Sequence, residues 1–280
     1  MRVRRDKEGQ PTGLETAVTR YATPPGHRPS LIVDLIGAVH IGEKAYYEQL
    51  NQKFRRYDAV LYELVAAEGA RVEPGQKRSH PVNMLQNLMK DVLKLDYQLD
   101  HIDYSAANMV HADMSPTEFS KSMEERGESF LKMFLRAMGQ AMSTPAAEQK
   151  MPGDLELLVA LVARDRAYRL KKIMAEQFEN MEAQLEVLNG PDGSTIITER
   201  NKTALQTLRK QMSMGKKRLA VFYGAGHLAD MAERLEKEFG LCRQKQEWLE
   251  AWKITPPSTG MPNAAQPSKS GESAVVPASS

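Results

Sequence analysis

Two tetrapeptides in this 280-residue chain place a histidine three residues after a glycine: Gly37-Ala38-Val39-His40 and Gly224-Ala225-Gly226-His227. An imidazole in its neutral form can ligate a metal or accept a proton. Glycine at the first position lets the backbone turn sharply or come close to a ligand. Glu63, flanked by Leu61-Tyr62 and Leu64-Val65, adds a carboxylate in apolar surroundings. There its pKa should rise unless a cation or metal holds it ionised. A glutamate beside two histidines could ligate a metal or serve as general base, and two histidines with one glutamate and an open position is an established catalytic metal arrangement. The other reading of the same pattern is that these are ordinary strand-to-helix turns, with Glu63 paired to a buried arginine.

The elements that carry these residues read as α/β. Residues 15–22 alternate faces like a half-buried strand. Residues 31–36 form a near-continuous run of β-branched residues and leucine, as a sheet buried on both faces requires, and they lead into the first Gly-x-x-His. Tyr46, Leu50, Phe54 and Tyr57 then recur at helical spacing, and Ala59-Val60-Leu61-Tyr62 is a second buried strand ending at Glu63. Strand, helix and strand in this compass make a βαβ unit with parallel strands. The pattern returns with a helix over 203–214, a strand over 218–223 ending at the second Gly-x-x-His, and a helix bearing Leu228, Met231, Leu235 and Phe239. In an open α/β sheet, ligands bind beyond the carboxyl ends of the strands, where both histidines fall.

Between these halves, an insertion over about 75–190 reads as mostly helical and rich in methionine. Ser115-Pro116-Thr117-Glu118 has the form of a capping box. Residues 108–113 read as one more strand, and His111 and Asp113 at its end are secondary site candidates, with turn formation the alternative role for Asp113. The expected architecture is a mainly parallel central sheet flanked by helices, in one domain over 1–254. A Pro/Ser-rich segment over 255–280 has too little apolar surface to offset its ordering entropy and reads as a disordered tail.

Composition excludes several classes. Lys+Arg 38 against Asp+Glu 36 gives a net charge of +2, which argues against an electrostatically driven nucleic-acid binder. A single cysteine, Cys242, excludes an internal disulfide and a multi-cysteine zinc site, leaving histidine and carboxylate as metal donors. With no leader pattern and no apolar run long enough to span a bilayer, a cytoplasmic protein is the expectation. Well-mixed charges along 155–188 allow a homodimer through the insertion. His27, His80 and His101 lie in loop or polar contexts and read as bystanders.

The stretch 32–65, IVDLIGAVHIGEKAYYEQLNQKFRRYDAVLYELV, resembles the opening of the TraB/PrgY/GumN family, which includes the Tiki metalloproteases. Ile197-Thr198-Glu199-Arg200-Asn201 and the later AVFYGAGHLADM (220–231) are similar to that family's Glu-Arg-Asn helix and second Gly-x-x-His. The two stretches bracket about 200 residues in the family's order and spacing. The resemblance implies a metal-dependent hydrolase, peptidase-like, with a peptide or small-molecule substrate. His40, Glu63 and His227 would hold a divalent Zn, Mn, Co or Fe ion or activate water, and Arg200 would steady an oxyanion or carboxylate. From the residues alone, Arg200 reads equally as an exposed surface arginine. A peptide-, haem- or metal-binding protein without turnover is the alternative that the same residues allow.

Overall fold

The computed structural model describes residues 1–26, 30–67, 92–129, 154–189 and 193–256. Much of the methionine-rich stretch, His27, His80 and residues 257–280 of the expected tail lie outside the described residues.

In chain order the elements are β1 (Arg2–Arg5), β2 (Pro11–Ala22), β3 (Ile32–Ala38), β4 (Ile41–Gly42), α1 (Lys44–Phe54) and β5 (Ala59–Tyr62), followed by β6 (Asp96–Tyr97), α2 (Gln98–His101), β7 (Met109–His111) and α3 (Pro116–Glu125). Then come α4 (Asp154–Val162), α5 (Arg166–Asn189), α6 (Arg200–Ser213), β8 (Arg218–Gly224), α7 (Leu228–Lys237) and β9 (Cys242–Lys253).

The central sheet carries four parallel strands in the order β3-β8-β5-β7. Strands β3 and β5 of the first βαβ unit are parallel as expected, but β8 from the C-terminal half lies between them. The two motif-bearing halves are thus woven into one sheet. Long β2 extends it in the antiparallel sense, with β1 and β3 end to end along one edge and β9 along the other.

Alternation along each parallel strand splits the apolar residues between two layers. Ile36, Ala38, Val60, Tyr62, Ala220 and Phe222 face α1 and α5, packing on Tyr46, Tyr47, Leu50 and Phe54. Their neighbours Val33, Leu35, Leu61, Leu219, Val221 and Tyr223 face α6 and α7, against Leu205, Leu208, Met231 and Leu235. Burial on both faces explains why these strands read as continuous apolar runs.

The expected capping box is formed: Ser115 Oγ accepts from the Glu118 N–H at 3.2 Å, and Glu118 Oε2 accepts from the Ser115 N–H at 2.8 Å. Gly215 and Gly240 close α6 and α7 at φ of +83° and +63°, conformations that an L side chain resists.

Sequence patterning missed β9. Its first residues, Cys242 to Lys245, are exposed and polar, so alternation emerges only where Leu249, Ala251 and Trp252 turn inward. Trp252 is fully buried, and its indole N–H donates to the Ile41 carbonyl at 2.7 Å.

Candidate functional site

The carboxyl ends of the four parallel strands meet at one place. His40 follows β3, Glu63 follows β5, Asp113 lies two residues past β7, and β8 ends at Gly224, three residues before His227. α6 supplies Arg200 and Asn201 from the side. The turn that leads into α6 is π-wound over Thr195–Glu199, with the Glu199 N–H reaching the Ser194 carbonyl at 3.1 Å.

Arg200 is the hub. Its Nε donates to Asp113 Oδ1 at 2.9 Å, and one terminal nitrogen donates to both Asp113 Oδ2 and Glu63 Oε1 at 2.6 Å. The Asp113 side chain has no exposure, and those of Arg200 and Glu63 are 11% and 14% exposed. Arg200 is therefore a buried site residue, which corrects the surface reading that its polar neighbours in sequence allowed. Burial works against its charge, but the two carboxylates outweigh that and push its pKa up. Asp113 also shapes the turn, the alternative role expected for it, since Oδ1 accepts the Met114 N–H at 2.8 Å.

Glu63 is gripped from a second side. Its Oε2 accepts the Gly224 N–H at 2.6 Å. A Cβ at Gly224 would sit 3.1 Å from that same oxygen, so glycine allows the backbone to reach the carboxylate. Burial pushes the Glu63 pKa up, yet His227, Arg200, the Gly224 N–H and His40 together hold it below the usual 4.5. The rise expected from apolar surroundings is thus reversed by the stated exception, a cation. The paired-arginine reading of Glu63 is also met, by the residue that the resemblance places in the site.

His227 is oriented from behind. Asn201 donates through Nδ2 to the His227 carbonyl at 3.1 Å and to Asp230 Oδ2 at 2.7 Å. Its Oδ1 must therefore accept, and it lies 2.7 Å from His227 Nδ1. That network assigns the proton to Nδ1 and leaves a lone pair on Nε2, 3.6 Å from Glu63 Oε1. Burial lowers the His227 pKa against the pull of Glu63. The Tyr223 ring meets the His227 ring edge-on at 5.2 Å. The neutral imidazole expected from the helix N-terminus is present, with burial as the main cause.

The buried cluster sets two acidic side chains, Glu63 and Asp113, against the single guanidinium of Arg200, with His227 Nε2 beside them. Glu63 Oε1 and His227 Nε2, 3.6 Å apart, are the two groups of the cluster that could serve as donors to a metal.

The structure separates the remaining candidates from this cluster. His40 is exposed at the rim, close enough for its charge to act on Glu63. Among the described residues, no three His, Cys, Asp or Glu side chains stand grouped to hold a metal. His111 is engaged elsewhere, with Nε2 2.6 Å from the Leu64 carbonyl. Sequence reasoning gave no role to Asn201, although it lies beside Arg200 in the quoted motif. It also missed the Gly224 amide, which residue type alone does not reveal. Compared with known protein families, curated proteins and solved structures, the chain matches none.

Proposed function

We propose that the chain is a hydrolase of peptides or related amides, with its reactive water lodged between Glu63 Oε1 and His227 Nε2. The observation that carries this reading is that facing pair, 3.6 Å apart, with Glu63 held by Arg200 and the Gly224 N–H and His227 held by Asn201. Glu63 and His227 supply two donors for a divalent ion, and His40 at the rim is the third in the resemblance to the Tiki-like group. When bound, such an ion supplies Lewis-acid polarisation and makes a bound water more acidic.

The chain's own residues do the rest. Glu63, ionised and restrained by Arg200 and the Gly224 N–H, accepts the water proton at Oε1. His227 holds the water through the Nε2 lone pair, and Asn201 keeps the ring in that tautomer. Arg200, already spanning two carboxylates, keeps Glu63 from turning away. It also offsets negative charge that develops on the scissile carbonyl oxygen.

One specific observation favours a second reading, binding of a metal, peptide or haem without turnover. The carboxylate oxygens of the cluster are hydrogen-bonded within it, as in a site built to hold rather than to react. Metal analysis joined to cleavage of a peptide library decides between the two. We expect His227→Ala or His40→Ala to lose both metal retention and hydrolysis while circular dichroism stays that of the parent. Full metal binding by the double alanine variant would overturn the metal site. Retained metal with no cleavage under any divalent ion would select binding.

A further inference from the structure

Over residues 158–162, helix α4 presents apolar side chains to water. Leu158 is 60% and Val162 85% exposed, and Val159 and Leu161 are exposed beside them, whereas Ala160 is buried. Large exposed apolar groups scattered singly need no explanation, but four within five residues form a patch.

The chain passes from this patch directly into a basic ledge. Two adjoining cavities, of about 540 and 220 Å³, open beside α4 between its junction with α5, the 92–94 stretch and the end of β9. Five cations line them against two carboxylates, an excess larger than the +2 of the whole chain. Both carboxylates are already engaged: Glu43 with Lys171 at 2.6 Å and Asp165 with Arg169 at 2.8 Å. Lys94, Arg164, Arg166 and Lys253 are exposed.

We propose that α4 and this ledge form a docking surface for an anionic lipid bilayer, with the apolar side chains at the level of the acyl boundary and the cations among the headgroup phosphates. Charge complementarity selects this occupant. A nucleic acid would engage the cations and leave Leu158 and Val162 in water. A second copy meeting the same patch about a two-fold axis would cover the apolar helix but bring the basic ledge against itself. An anionic bilayer satisfies both parts of the surface. Among the described residues no helix is long and apolar enough to cross a membrane, so the contact is peripheral.

Sedimentation of the full chain with vesicles tests this. We expect binding to phosphatidylcholine vesicles containing phosphatidylserine, weakened by added salt, and at least about tenfold weaker binding to phosphatidylcholine alone. Leu158→Asp with Val162→Asp, and separately Arg164→Glu with Arg166→Glu, should each weaken binding to the anionic vesicles by about tenfold or more, with circular dichroism unchanged. Absence of binding, equal binding to both vesicle types, or anionic binding that survives both double variants would overturn the proposal. So would a dimer, measured by light scattering, that the aspartate pair dissociates, since a second copy would then own the patch.

Discussion

Two buried aspartates in this fold are each clasped by an arginine in the same two-pronged geometry, yet they do different work. In the middle of β3, Asp34 takes Arg20 Nε and a terminal nitrogen at 2.8 Å each, across the β2–β3 ladder where the two residues are direct partners. Tyr57 completes that cluster by donating its hydroxyl at 2.6 Å. One acidic side chain meets one guanidinium, the remaining donor is a hydroxyl, and the arginine side chain is 35% exposed. Past the end of β7, Asp113 holds Arg200 in the same way, but Glu63 and His227 share the arrangement, so two acidic side chains divide one guanidinium and a lone pair faces an acid oxygen. A buried ion pair is therefore no sign of a site. What distinguishes the second cluster is imbalance at the strand ends, where a ligand can enter.

The sharpest way to break this comparison is to remove each arginine in turn. Arg200→Met leaves two buried carboxylates facing each other and should cost roughly 3–5 kcal/mol in urea unfolding. Arg20→Met leaves a single carboxylate that keeps Tyr57 and gains access to water, so about 2–3 kcal/mol is expected. Equal losses would mean that the second acidic side chain at the Asp113 cluster is compensated by groups not recognised above. Tyr57→Phe should cost about 1.5–2 kcal/mol, as for a hydrogen bond to a charged acceptor, and leave hydrolysis untouched.

The gentlest probe is pH, applied with chelator present. His227 is held below its ordinary 6.5 by burial, so the unfolded chain takes up a proton more readily than the folded one. Stability from this residue is complete above about 6.5 and drains away as pH falls below it. Glu63, also held low, adds a second loss below about 4.5. The Asp34 cluster contains no histidine to contribute to the first loss. His227→Gln should therefore flatten the upper part of a thermal-melting profile and leave the lower part in place.

The same contrast explains what was legible in the sequence. The parallel strands could be read because burial on two faces forces a nearly continuous apolar run, unbroken at Leu219 to Phe222 and interrupted only by Asp34 at Val33 to Ile36. β9 could not, because its outer half is charged and only its inner end packs. Glu63, Asp113 and His227 were legible as polar residues that end buried strands. The link from Asp113 to Arg200 was not, since it joins positions 87 residues apart through a helix whose rotation the residue types do not reveal. His40 and His111 show the limit of reasoning from strand ends alone: both sit where ligands gather, yet one stands at the rim and the other is turned to a backbone carbonyl.

That rotation has a source. The π-wound turn at Thr195–Glu199 packs one more residue into its winding than an α-helical turn would hold. Each residue advances an α-helix by about 100°. Shortening that turn by a single position, for instance by deleting Ile196, would swing α6 about its axis by roughly that angle. Arg200 and Asn201 would then face away from Asp113 and His227 together. The aim of two site residues is thus stored in a backbone count, which a one-residue change in length at the root of α6 would upset for both at once.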